Sequence, residues 1–236
     1  MIKSSTHAII LAGGLGTRLR SVVSDLPKCM APVNGKPFLY YVIHHLKSQG
    51  INNFVFSVGY KHEAIIEYIE SLVSKANSFS YKFSIEEEPL GTGGAIKMAC
   101  RLSDSKSTIV CNGDTLFSAD LNQVMEFHET VSAACTLTLK YMVDFDRYGV
   151  VELNEDRSVK KFSEKQWYKK GLINGGMYIL EPVSFLAENL PEKFSFEKDY
   201  LEKYYDKRKI FGITDTGYFI DIGIPSDYSK AQIDLN

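Results

Sequence analysis

The chain has 236 residues, 44% of them hydrophobic and 24% charged, and a formal net charge of −2. Those proportions match a soluble globular domain and exclude a disordered, collagenous or disulfide-scaffold chain. A near-neutral balance offers no field for nucleic acid or an anionic membrane, so neither partner is expected, and any phosphate-binding charge must be local.

Taken in chain order, short apolar runs alternate with longer amphipathic ones. His7–Ala12 (HAIILA) predicts a buried strand running into a Gly-rich loop, and Phe38–Gln49 a helix that stops at Gly50. Strand Asn53–Val58, helix His62–Ser74, strand Tyr81–Ile85, helix Gly94–Leu102, strand Thr108–Asn112 and helix Leu121–Thr130 follow. This alternation predicts a doubly wound, mostly parallel α/β sheet, with ligands at the loops that follow the strands. The rhythm then changes: Ala134–Lys140, Tyr148–Leu153, Val159–Phe162 and Met177–Leu180 are strand-like with short connections, which predicts a small antiparallel extension. Ile210–Ile213, Tyr218–Asp221 and a helix from Ser226 close the chain. With no linker and no internal repeat, one domain over 1–236 is expected.

Four scattered cysteines, Cys29, Cys100, Cys111 and Cys135, without a CxxC pair, predict reduced buried thiols in a cytoplasmic protein rather than a zinc site. No stretch approaches the length of a membrane span, and Ala8–Ala12 is too short for a signal peptide.

The strongest motif is LAGGLGTRL, Leu11 to Leu19, followed by Pro27-Lys28. Three glycines straight after a strand let the backbone approach a bulky ligand, and their N–H groups can cradle phosphate oxygens. Arg18 adds a forked donor and Lys28 a point charge. The string is neither a P-loop nor a dinucleotide fingerprint. It resembles the signature of the sugar-1-phosphate nucleotidylyltransferases, which join a nucleoside triphosphate to a sugar 1-phosphate and release pyrophosphate. The resemblance implies a Rossmann-like fold, and a nucleotide held by Leu11, Ala12, Gly13, Gly14, Gly16, Thr17 and Arg18. It makes Arg18, Lys28, Asp114 and Lys165 the catalytic set, acting in an in-line attack without a covalent enzyme intermediate.

Glu86-Glu87-Glu88-Pro89-Leu90-Gly91-Thr92-Gly93-Gly94 lies between a strand and a helix. Guanine presents two adjacent donors that one carboxylate can accept, and uracil, cytosine and adenine do not. The string also resembles the base-reading loop of the family's guanylyltransferases, which brings in Gly91 and Thr92. Strand alternation puts Glu86 and Glu88 on one face, so either could read the base. GTP is thus the expected nucleotide.

Asp114, in Cys111-Asn112-Gly113-Asp114, stands at a strand end where Mg²⁺ could be held by few protein oxygens. The resemblance pairs it with Asp221 on one metal ion. It also assigns sugar contacts to Asn112, Tyr148, Gly149, Glu164, Lys165, Asn174 and Gly175, from the motifs YGV, FSEK and NGG. Trp167, the only tryptophan, is expected to pack or to wall the sugar pocket. Within the family the resemblance runs furthest toward guanylyltransferases that act on D-glycero-α-D-manno-heptose 1-phosphate and supply surface-polysaccharide synthesis. Mannose 1-phosphate, or a uridylyl transfer to glucose or N-acetylmuramate 1-phosphate, is the alternative. A glycosyltransferase or a silent nucleotide-sugar sensor would release no pyrophosphate. A homo-oligomer is compatible with the sequence.

Overall fold

The computed structural model describes residues 2–14, 26–74 and 79–235. β1 (His7–Leu11) precedes a 3₁₀ turn (Lys28–Met30), a small hairpin of β2 (Pro32–Val33) and β3 (Lys36–Pro37), and helix α1 (Phe38–Ser48). Next come β4 (Asn53–Val58), α2 (His62–Ser74), β5 (Ser80–Ile85), α3 (Gly91–Cys100), β6 (Thr108–Asn112), β7 (Thr115–Phe117) and α4 (Leu121–Thr130). β8 (Cys135–Phe145), β9 (Val150–Leu153), β10 (Val159–Ser163) and β11 (Tyr168–Leu180) form the middle of the chain. Then α5 (Pro182–Leu186), a π-helical turn (Phe196–Leu201), α6 (Glu202–Tyr204), β12 (Ile210–Asp215), β13 (Phe219–Asp221) and α7 (Pro225–Asp234) complete it.

Strands β6, β1, β4 and β5 pair in parallel, the expected α/β core. β1 alternates between the two faces of the sheet. Ala8 and Ile10 enter one hydrophobic cluster with residues of α1, α2, α4 and α7, and Ile9 enters the other with residues of α3, α5 and the π-helical turn. A strand buried on both faces reads as a continuous apolar run, which is why HAIILA is so plain in the sequence. Local signals agree with the fold. Asp120 caps α4, its Oδ1 accepting from the N–H groups of Asn122 and Gln123 at 3.0 and 3.2 Å, worth about 1 kcal/mol. Gly50, at φ +93°, ends α1 as expected.

The antiparallel extension is anchored by β11, which runs antiparallel to β6, β8 and β9. β8 and β11 are longer than the apolar pattern indicates. Beyond Leu139 and before Ile173 they continue as a ribbon whose residues, Phe145 apart, are exposed or half-buried, so no continuous apolar run marks them. The register of β11 shifts between Asn174 and Tyr178, and Gly176 there has φ +69°. Such an irregularity re-aims side chains on a strand. The short pair β13–β7 sets Asp221 opposite Thr115, the neighbour of Asp114.

Candidate active site

Two cavities open along the strand ends that the α/β topology leaves free. The first, of about 470 Å³, is bounded by the end of β1, the start of α3 and the end of β6. Leu11, Ala12, Gly13 and Gly14 line it, and Gly16, Thr17 and Arg18 lie outside the described residues. Among the described residues, Lys28 is the one basic side chain on its wall.

Glu86 enters this cavity from the loop after β5. Its Oε2 accepts from the Leu90 N–H at 3.1 Å, and its Oε1 lies 3.4 Å from the Ser57 hydroxyl. Burial pushes the carboxyl above the usual glutamate range, and those two hydrogen bonds pull the other way. A Cβ on residue 13 would stand 2.8 Å from Glu86 Oε1, so any larger residue there would require that carboxylate to shift. Glu88 is exposed and lines neither cavity. The expectation that it shares the Glu86 face fails because β5 ends at Ile85 and the chain bends at Glu87 and Glu88, so strand alternation no longer applies.

Gly91 and Thr92 line the same cavity at the first turn of α3. Gly91 has φ +73°, and a Cβ there would lie 2.6 Å from the Phe194 carbonyl oxygen. Thr92 does not cap the helix. Its hydroxyl donates to Glu197 Oε2 at 2.7 Å and accepts from the Phe196 N–H at 2.9 Å.

The second cavity, of about 350 Å³, lies between the antiparallel strands and the π-helical turn. Tyr148, Gly149, Glu164, Lys165, Asn174 and Gly175 all line it. Asn174 Nδ2 donates to the Tyr178 hydroxyl at 2.8 Å, and its Oδ1 accepts from the Gly176 N–H at 3.0 Å. Trp167 is 64% exposed and lines neither cavity, so it neither packs nor walls the pocket.

The cavities share Asn112 and meet at a charged centre. Lys28 Nζ lies 2.5 Å from Asp114 Oδ2 and 3.1 Å from Asp221 Oδ1. Asp114 faces the first cavity and Asp221 the second. Asp221 Oδ1 also accepts from the Gly223 N–H at 2.8 Å, and its Oδ2 lies 3.4 Å from Arg147 Nη2. Arg147 is held in turn by Asp227 in the first turn of α7. Two carboxylates converging on one cation position are the oxygen-donor pattern that suits Mg²⁺, which takes few protein ligands. Among the described residues no cluster of three or more His, Cys, Asp or Glu that could hold a metal ion occurs. Cys29 lines the first cavity, but burial pushes its thiol up to about 12, which leaves it inert.

Sequence reasoning missed Arg147, Gly223 and the whole contribution of the π-helical turn, from which Ser195, Glu197 and Lys198 reach the second cavity. A signal for that turn exists. Ser195 Oγ accepts from the Lys198 N–H at 3.2 Å, and Asp199 Oδ2 accepts from the Ser195 N–H at 2.9 Å. This is a reciprocal cap with its acidic partner one residue later than in an α-helix, because the turn is wider.

Residues 7–236 match the family model described as nucleotidyl transferase. The chain is 51% identical to D-glycero-alpha-D-manno-heptose 1-phosphate guanylyltransferase of Aneurinibacillus thermoaerophilus, over 97% of this chain and 98% of that protein. It is 48% identical to the enzyme of the same name from Campylobacter jejuni, over 94% of this chain and 96% of the other. A crystal structure of HddC from Yersinia pseudotuberculosis complexed with GMP-PN superposes with a TM-score of 0.85 at 39% identity, covering 98% of this chain and all of that one.

Proposed function

The chain belongs to the nucleotidyl transferase family, and from that footing we propose that it transfers GMP from GTP to D-glycero-α-D-manno-heptose 1-phosphate. The reading is supported by the relatives of that name and by the guanine-type nucleotide in the similar crystal structure. The observation that carries it is the meeting of two cavities at Lys28, Asp114 and Asp221. A nucleotide in one and a sugar phosphate in the other would have their reacting phosphates at that centre.

A phosphate oxygen of the sugar 1-phosphate attacks the α-phosphorus of GTP. The new P–O bond forms as the bond to the β-phosphate oxygen breaks, and pyrophosphate leaves with the electron pair. The chain's task is to bring two polyanions together and align them. Lys28 supplies positive charge at the shared centre, and Lys165 draws the sugar phosphate into the second cavity. Arg18 steadies the departing pyrophosphate. Glu86 accepts from guanine N1–H and N2–H, with Gly13, Gly91 and Thr92 as the cavity wall around it. Glu164 and Asn174 hold sugar hydroxyls, and Asn112 belongs to both cavities. Mg²⁺, when bound, would be held by Asp114 and Asp221 and would neutralise charge on the reacting phosphates.

We assign the reaction to the cytoplasm, as a supply step for surface polysaccharide. Four free, buried thiols fit a reducing compartment, and among the described residues no helix is long and apolar enough to cross a membrane. The test is pyrophosphate release with Mg²⁺, crossing the four ribonucleoside triphosphates with heptose, mannose, glucose and N-acetylmuramate 1-phosphates. Release with GTP and the manno-heptose is expected. Release with UTP in place of GTP would overturn the base assignment, preference for mannose the sugar assignment, and silence throughout the whole reading.

A further inference from the structure

The π-helical turn brings a further carboxylate to the second cavity, and its hydrogen bonds reach across to the first. Glu197 lines the second cavity and is half-buried. Its Oε2 accepts from the hydroxyls of Thr92 at 2.7 Å and Ser195 at 3.1 Å. Nearby, the hydroxyl of Tyr178, a residue only 2% exposed, accepts from Asn174 Nδ2 at 2.8 Å.

The donor and acceptor count shows what remains for a ligand. Asn174 has one N–H on Tyr178 and its oxygen on the Gly176 N–H, which leaves one N–H and one lone pair. Its amide is fixed in orientation because its partners at either end are not interchangeable. Glu197 has about four lone-pair sites and two hydroxyl donors, both on Oε2, so it keeps acceptor capacity in a cavity whose occupant is a polyol. The aromatic packing of Phe196 against Tyr178, with ring centroids 5.0 Å apart, holds the turn against β11. Through its bond with Thr92, Glu197 also touches the wall of the nucleotide cavity.

We propose that Glu197 is a specificity residue for the sugar: it accepts from one hydroxyl of the sugar 1-phosphate in the cavity where Asn174 meets another. The inference rests on the second cavity being the sugar site.

The experiment is steady-state pyrophosphate release by wild type, Glu197→Gln, Glu197→Ala and Tyr178→Phe, with GTP and the sugar 1-phosphate varied in turn. Glu197→Ala is expected to raise KM for the sugar about 20-fold, Glu197→Gln about fivefold because the charge-assisted acceptor becomes neutral, and Tyr178→Phe about threefold. KM for GTP should stay within about threefold in all of them. A lost fold would lower apparent kcat without moving KM, whereas a general distortion of the site would raise both KM values, so a parallel rise in the two for Glu197→Gln overturns the proposal. So does a sugar KM unchanged in Glu197→Gln, the variant that keeps the packing if Glu197→Ala does not fold. A wild-type enzyme silent with every sugar 1-phosphate would overturn the reading of the cavity itself, and this inference with it.

Discussion

The two cavities are built in different ways. The first is largely backbone and loop: glycines after β1 and at the start of α3, a lysine on a 3₁₀ turn, and a carboxylate against a glycine. Its parts follow parallel strands, the position at which open α/β sheets generally bind ligands. The second is made of side chains from antiparallel strands and a π-helical turn. A nucleotide's phosphates and a flat base suit fixed N–H groups and bare backbone. A sugar must be told apart by its hydroxyls, which takes individually placed acceptors and donors.

The contrast is sharpest at the centre where the cavities meet. Lys28→Met removes the cation shared by both, and turnover should fall by about 10³-fold. The same change leaves Asp114 and Asp221 facing each other. Their side chains are 32% and 18% exposed, so solvent screens part of the repulsion and the expected cost is about 1–2 kcal/mol. Thermal denaturation with and without Mg²⁺ checks this, and the ion should stabilise the variant more than the wild type. Equal stabilisation of both would mean that the two carboxylates do not share a cation position.

Glu86→Gln tests the first cavity by itself. It should raise KM for GTP by about 10–100-fold and leave the sugar KM close to wild type. Burial raises the Glu86 carboxyl, so it takes up a proton at higher pH than an exposed glutamate and then cannot accept from both guanine donors. KM for GTP is expected to climb as pH falls through that raised value, and the climb should be absent in Glu86→Gln. Between the ordinary and raised values the native state binds more protons than the unfolded chain. The contribution of Glu86 to stability therefore falls as pH rises through that window. Trp167→Ala is the smallest expected effect: kcat/KM within about twofold and stability within ~0.5 kcal/mol. A larger loss would extend the second cavity beyond its present boundary.

The first half of the chain was legible because β1, β4 and β6 are buried runs between amphipathic helices, and helix and strand periods differ cleanly there. Asn53–Val58, His62–Ser74 and Leu121–Thr130 fall where the pattern predicts. The ribbon of β8 and β11 escaped notice because its outer residues face solvent. The π-helical turn escaped because six residues are too few to show a period. Of the site, the residues in strings of fixed spacing could be named from the sequence. Arg147 and Glu197 could not, since their meaning lies in partners 74 and 105 positions away. Choosing Glu86 over Glu88 likewise needed the end of β5, a boundary that alternation alone does not mark.

The centre also bears on how the protein is made. Lys28 meets Asp114 across 86 positions and Asp221 across 193. On a ribosome, where segments emerge from the N-terminus onward, Lys28 and Asp114 are available to pair while Asp221 is still unsynthesised. The second carboxylate arrives with β13, whose pairing to β7 seats it. A nascent chain can thus form its parallel core early and still hold no complete charge triple. If the proposed roles hold, a chain truncated before Asp221 is expected to fold its parallel core yet consume no nucleotide.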